Sequence, residues 1–498
     1  MTIKKYKIHP GIGIARLGNS EEEYFIGPEV PDPNFIPPKG NYRDGSNKIR
    51  RQGCRFRIYE YTYEDESSTE PQTVQEIDYE TAEITWHVHI ANCKSFVDSD
   101  VDANKVPNDP GEKSIQAKSS GRVEIFGSIF EQDVQLGTLI IEEDRKGPLV
   151  VLGGFGRSSC KNPASCPKPE KIRNKEWYDD VSDGSVKATI SIGGDNVPDE
   201  NIEPAWVVVG VPAYAAPIIN IVTLDDVAYD IAVEKEWISR PDKPSFLHDI
   251  YPVLRRTSEM GWVNSSARSW HGSGSSYDFL SVSKFPELSD PNEDSSYREQ
   301  VLGSMRNPIV RGGRNMPSLA GGLTVTKYQY EQFQKWSKGN FQDDWPPGQK
   351  PWDSTGLFDD LSETEKLDRA GLWSAVGGSF KPGMEVGDII KDSNIYKEPF
   401  RLNPDKVKPG DLTKTLSTPW QADFIIRCRE WWWPAARPGS VTNNGTDFYK
   451  WVPTKWIAEK TVDNWCQLGF IKKKDNGEDN SPSFIEEERL VDESAPAC

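Results

Sequence analysis

Residues 417–438, STPWQADFIIRCREWWWPAARP, gather a carboxylate, a thiol and several indoles in one short segment. Cys428 lies between Arg427 and Arg429, whose positive charges favour the nucleophilic thiolate over the thiol. Asp423 has aromatic neighbours, a setting that raises a carboxyl pKa and makes the group usable as a base near neutrality. A reactive thiol beside a tunable base is a catalytic pairing. With 17 tryptophans in the chain, the same segment also reads as an aromatic core patch or a stacking platform for sugars, with Cys428 as a small buried hydrophobe.

Other constellations carry less chemistry. His87 and His89 in ITWHVHIA would share one face of a strand and could begin a metal site, the basis of a metal-dependent oxidase. Zinc needs three or four ligands, and His9, His248 and His271 are the remaining histidines, so hydrogen-bonding roles are the better reading. Cys160 and Cys166 permit a small disulfide or part of a metal site, but an odd total of 7 cysteines in a long chain points mostly to free thiols. GIGIARLG (11–18) and VGGSF (376–380) lack the strand-to-helix context that cradles phosphate, and both read as tight turns. No Gly-x-Ser-x-Gly elbow offers a hydrolytic nucleophile.

The elements that must position these groups change character along the chain. Residues 82–91, 121–143, 148–156, 186–194 and 203–215 are β-branched or aromatic runs punctuated by Gly, Pro and Asp, which is strand patterning. After about residue 240, Ile250, Val253, Leu254 and Thr257 fall at helical spacing, and Ser362 with Glu365 forms a capping box. Ile457, Thr461, Trp465 and Leu468 line one face of a third helix. Residues 339–354 and 381–411 read as long packed loops. The expected fold class is α+β: a β-rich domain over 1–240, and a domain of helices and long loops over 241–498 that carries the site.

Bulk composition excludes some partners. The chain has 498 residues, and 59 Lys and Arg against 77 Asp and Glu leave a formal net charge of −18, so a phosphate backbone is repelled and nucleic acid is not expected. No apolar run approaches the roughly 20 residues needed to span a bilayer, and the N-terminus lacks a secretory leader pattern. A soluble protein, cytoplasmic or exported by a non-classical route, is expected.

Across residues 8 to about 441 the chain carries, in order, IHPGIGIARLGNS, FIGPE, ITWHVHIANCKS, PSFLHDIYPVLRR, VGGSFKPGMEVG, EPFRL, KPGDLTKTLSTPWQADF and WWPAARPGSV. In these blocks it resembles the lysine ε-oxidase and glycine oxidase family of quinoprotein amine oxidases. The resemblance implies a cysteine tryptophylquinone cofactor, in which a Cys sulfur is joined by a thioether cross-link to a Trp ring oxidised to an ortho-quinone. Matched by position, Cys428 is the cross-linked cysteine and Asp423 the carboxylate tied to maturation and catalysis. Trp465 is the most similar position for the tryptophan, with Trp432, Trp433 and Trp451 as alternatives. His271 and Glu385 would be pocket-lining polar groups. Implied chemistry is oxidative deamination of a primary amine or amino acid through a Schiff base, with oxygen reoxidising the cofactor to give hydrogen peroxide and ammonia. Implied partners are a separate flavoprotein for maturation and further copies of the chain in a homo-oligomer. The competing expectation is a non-catalytic protein of the same fold with a Trp-rich carbohydrate- or protein-binding surface.

Overall fold

The structure, a computed structural model, describes residues 2–491 except 33, 95–106, 170–173, 311–323, 377–383, 423, 425–435, 457 and 478–479. Fourteen strands form one sheet. Its main path runs Lys113–Gln116, Glu83–Ala91, Ser182–Ile192, Ala205–Gly210, Ile12–Arg16, Arg51–Tyr63, Leu149–Gly153, Gln132–Ile141 and Arg122–Ile129. The first and last of these lie against each other, so the sheet curls toward a barrel. All five segments with strand patterning contribute to it.

One sequence expectation needs correction, and one strand has no counterpart in the sequence reading. GIGIARLG is not a tight turn: Ile12–Arg16 is a central strand, paired parallel with Trp206–Gly210. All five of its residues are buried, so the in-and-out alternation that marks a half-exposed strand is missing. Gly13 is there for space, since a Cβ would come within 2.3 Å of Cys54 Sγ. Of VGGSF, only Val376 falls among the described residues. The strand not singled out is Arg51–Tyr63, the spine of the sheet, whose arginines disguise it. Arg55 is paired with Glu29 and Glu142, and Arg57 reaches Glu29 at 2.8 Å.

Helices begin after the sheet is complete. Leu224–Glu234 starts at a Thr223/Asp226 capping box, and Glu363–Trp373 at the expected Ser362/Glu365 box. Glu363–Trp373 packs on the Ile12–Arg16 strand, so the helical part covers one face of the sheet. Tyr251–Glu259 buries Val253 and Leu254, and a π-turn, Phe246–Ile250, leads into it. The later part is not only helix and loop. Small antiparallel pairs form between Tyr396–Glu398 and Arg401–Leu402, Ser440–Thr442 and Phe448–Lys450, and Phe470–Lys474 and Ser483–Glu487. One apolar core runs without a break from Tyr6 to Phe484 and includes both sheet and helix residues. No helix among the described residues is long and apolar enough to cross a membrane.

Candidate active site around Trp465

The helix Ala458–Asn464 runs into a single 3-10 turn, Trp465–Gln467. Thr461, Trp465 and Leu468 are buried, as their spacing requires. The Tyr214 hydroxyl donates to the Trp465 carbonyl at 3.1 Å, which fixes the turn. The Trp465 ring meets Trp420 edge to face, with centroids 5.1 Å apart. Trp420 begins the buried turn Trp420–Ala422, the Trp-Gln-Ala part of the opening segment, and this turn packs against the Ala458–Asn464 helix. Tertiary structure therefore joins the two parts of the sequence singled out for redox chemistry.

Gln421 locks a third element to them. Its side chain is fully buried; the Ser158 hydroxyl donates to its Oε1 at 2.8 Å, and its Nε2 donates to the Gly156 carbonyl at 3.2 Å. Gly156 follows the Leu149–Gly153 strand and has φ +72°, a conformation that side-chain-bearing residues rarely adopt. A Cβ there would lie 2.3 Å from Trp465 Cζ2 and 2.6 Å from Cη2. Only glycine leaves that ring edge clear.

Trp465, Gly156 and Arg157 line a cavity of about 660 Å³ together with Tyr178, Asp180 and Cys466. Two adjacent carboxylates stand behind it with opposite circumstances. Asp179 is fully satisfied: Lys94 Nζ lies 2.6 Å away, and Asn92 Nδ2 and the Trp420 amide donate to it at 3.0 and 2.9 Å. Asp180 is just as buried, at 1% exposure, yet one of its oxygens, Oδ1, has no hydrogen-bond partner among the described residues. The other, Oδ2, accepts from the Arg157 amide at 3.0 Å. Burial pushes its carboxyl up to about 7 against the lowering effect of that amide, and the charge on Asp179 pushes the same way. Sequence reasoning passed over Asp180. The available signal was the acidic doublet in WYDDVSDG, just ahead of a strand that is almost wholly buried at its start.

The other candidate residues distribute as follows. Asp423, Cys428, Trp432 and Trp433 lie outside the described residues; their neighbours Ala422 and Phe424 are buried, and Phe424 is 5.4 Å from both Trp420 and Trp451. Trp451 is sealed in the core, with its Nε1 donating to the Gly469 carbonyl at 3.1 Å and Tyr214 against its ring at 4.7 Å. It does not line the Trp465 cavity. Neither does His271, which borders a separate apolar pocket of about 50 Å³ with Val253, Leu254, Phe279 and Phe333. Its Nδ1 donates to the Tyr277 carbonyl at 3.3 Å, and burial lowers its pKa to about 4, so it is neutral at physiological pH. Glu385 is buried in an ion pair with Arg16 at 2.8 Å and accepts from the Val376 amide. His87 is hydrogen-bonded between Ser114 and Thr189, and His89 is bonded to Asp109. No cluster of three or more His, Cys, Asp or Glu residues suited to a metal occurs among the described residues. Cys160 and Cys166 form a disulfide, whereas Cys54, Cys93 and Cys466 are free.

Comparison with known proteins agrees with this fold. Residues 9–109 and 96–209 match the family description "L-Lysine epsilon oxidase N-terminal", and residues 310–451 match "L-lysine epsilon oxidase C-terminal domain". L-lysine 6-oxidase of Marinomonas mediterranea is 24% identical over 571 residues, covering 89% of this chain and 74% of that relative. Crystal structures of the L-Lys epsilon-oxidase from the same organism, one of them a Schiff base intermediate with L-Lys, share the fold. Each has a TM-score of 0.75 at 20% identity and covers 97% of this chain and 95% of that chain.

Proposed function

This chain belongs to the L-lysine epsilon-oxidase family, and from that membership we propose that it oxidatively deaminates a primary amine or amino acid, using a cysteine tryptophylquinone made from Cys428 and Trp465. The observation that carries the reading is the setting of Trp465: a buried indole on the wall of a 660 Å³ cavity, next to the Trp420–Ala422 turn, with Gly156 against its outer ring edge. An ortho-quinone needs two adjacent C–H carbons of the six-membered ring, and Cζ2 and Cη2, the pair that faces Gly156, are such carbons and have no side chain pressed on them from that residue. The indole thus fits the group. Trp451, packed on several sides and away from the cavity, fits it less well.

Once formed, an ortho-quinone supplies an electrophilic carbonyl to a primary amine and holds the two electrons that oxygen later removes as hydrogen peroxide. The chain's own residues then have separable tasks. Trp420 and the Gln421-anchored loop keep the Trp465 ring rigid, which an attack in fixed geometry needs. Asp423, the residue after the Trp420–Ala422 turn, takes the proton from the amine-bearing carbon. Hydrolysis releases ammonia and an aldehyde or oxoacid. Because the chain carries no flavin fingerprint in its sequence, oxygenation of the indole is assigned to a separate flavoprotein partner.

Intact mass and absorbance test the proposal. Chain made with a maturation partner should gain about 28 daltons, two oxygens in and hydrogens out, and should absorb as a quinone. Trp465→Phe should lose both signatures and peroxide release, with L-lysine the first substrate to try. An unmodified mass in matured protein, or a quinone that survives Trp465→Phe, overturns the assignment.

A further inference from the structure

Asp180 has no task in the scheme above, yet its surroundings are those of a binding group. It is a buried carboxylate on the wall of the Trp465 cavity, with one oxygen held by a backbone amide and the other unclaimed. A buried acceptor without a partner is costly to keep, and the adjacent Asp179 shows that the same fold can pair a carboxylate with Lys94. The loop that binds Asp180 at Arg157 is the loop whose Gly156 touches the Trp465 ring, so both groups address the same space.

The incoming molecule brings a matching charge. A primary alkylamine, with a pKa near that of lysine at about 10.4, arrives protonated at neutral pH. We propose that Asp180 is the ammonium subsite of this cavity: its free Oδ1 accepts an N–H of the entering primary ammonium group and holds it beside the Trp465 ring. The proposal rests on the reading of the chain as an amine oxidase.

The other charges facing Asp180 do not supply this function. Asp179 repels a second negative charge but is occupied by Lys94. Arg51 is engaged with the Thr138 hydroxyl, the Gly153 carbonyl and the Phe155 ring, and Tyr178 has its hydroxyl on Gln132. Around the cavity, Lys48 faces Glu21 at 3.4 Å, while Arg157, Asp133 and Asp463 are exposed. A carboxyl near 7 is charged, and able to accept, at pH 8 and is already protonated at pH 5. Binding should therefore weaken as pH falls through 7.

The test uses the full chain made without a maturation partner, so that binding is read apart from turnover. Calorimetric titration with n-butylamine at pH 8 should show binding that weakens at least tenfold in Asp180→Asn, while n-butanol binds both proteins equally. Infrared difference spectra of the unaltered chain should show an aspartate carboxylate band displaced on adding amine, identified by its shift with 13C-labelled aspartate. That spectrum decides the matter even if Asp180→Asn does not fold. Equal amine binding in the variant, no binding at all, or an undisplaced carboxylate band overturns the proposal. If the amine binds at Asp180 but matured enzyme releases no peroxide, the oxidase reading fails and the subsite stands. If matured Asp180→Asn oxidises amines as well as the parent does, the subsite fails and the oxidase reading stands.

Discussion

Two polar hollows in this molecule are built from the same residue types. Between the helices Leu224–Glu234, Tyr251–Glu259 and Glu363–Trp373 lies a cleft of about 150 Å³ walled by Asp225, Asp226 and Asp249. There each of these three carboxylates has been claimed, and the fourth, Asp360, is exposed to solvent. Asp225 takes both arms of Arg369 at 2.9 and 2.8 Å, Asp226 takes Arg256 at 2.6 Å, and Asp249 accepts from Tyr328 and the Ser245 amide at 2.9 and 2.8 Å. Arg256 also lies over the Trp373 ring at 3.9 Å. The cavity at Trp465 has a tryptophan and a buried aspartate too, but among the described residues one oxygen of that aspartate has no partner, and the indole edge meets only the backbone of Gly156 on that side. Paired charges in the cleft tie three helices together, whereas the unpaired group in the cavity is left free to meet a ligand. Acid count does not distinguish the two hollows, but the satisfaction of each acid does.

Substitutions can break or sharpen that contrast. The largest effect is expected from Trp465→Phe, which should reduce peroxide release to background, while Trp451→Phe keeps the quinone absorbance and loses stability instead; absorbance, mass and peroxide assays on the two variants check this. Gly156→Ala comes next. It forces a Cβ into the Trp465 ring at a positive φ, so quinone yield should fall at least tenfold and stability by about 1–3 kcal/mol, read from the chromophore and from urea unfolding. In the helical cleft, Arg369→Ala leaves Asp225 buried without its cation and should cost about 3 kcal/mol, seen as a lowered Tm.

Asp180→Asn should act with the opposite sign. The folded carboxyl is raised to about 7 from an ordinary 3.8, so between those values the folded chain binds the proton more tightly than the unfolded chain, and stability falls as pH rises through that window. Asp183, raised to about 6 by burial, adds to the same slope. At pH 8 the asparagine variant should be more stable than the parent by on the order of 4 kcal/mol, and at pH 4 nearly equal to it, as melting curves at the two pH values would show. A variant equally destabilised at both would place Asp180 with the structural acids of the cleft. The smallest effect is expected at His87: His87→Gln should shift stability by no more than about 0.5 kcal/mol, and a chelator should leave turnover unchanged, measured by Tm and by peroxide release.

Part of this design is readable along the chain because it is local. Residues 82–91 and 203–215 announce strands through their β-branched content, and Ser362 and Glu365 announce a helix start because a capping box needs only residues three apart. The burial of Trp465 could be read from the period of its helix face, while its candidacy for the cofactor came from the family resemblance. The central strand Ile12–Arg16 could not, since burial on both faces removes the alternation that marks a strand. Arg51–Tyr63 was hidden for a different reason: its arginines are neutralised by Glu29 and Glu142, which are distant in sequence.

By itself, then, the order of residues determined the α+β character, the helix starts and the family blocks, all of which depend on neighbours within a few positions. Only the tertiary structure decided that Gly156 would clear the edge of Trp465, that Gln421 would pin that loop, and that of two adjacent aspartates Asp179 would find Lys94 while Asp180 would not. The physical reason is that desolvation and charge pairing are set by what surrounds a group in space, and two residues side by side in sequence can face entirely different surroundings.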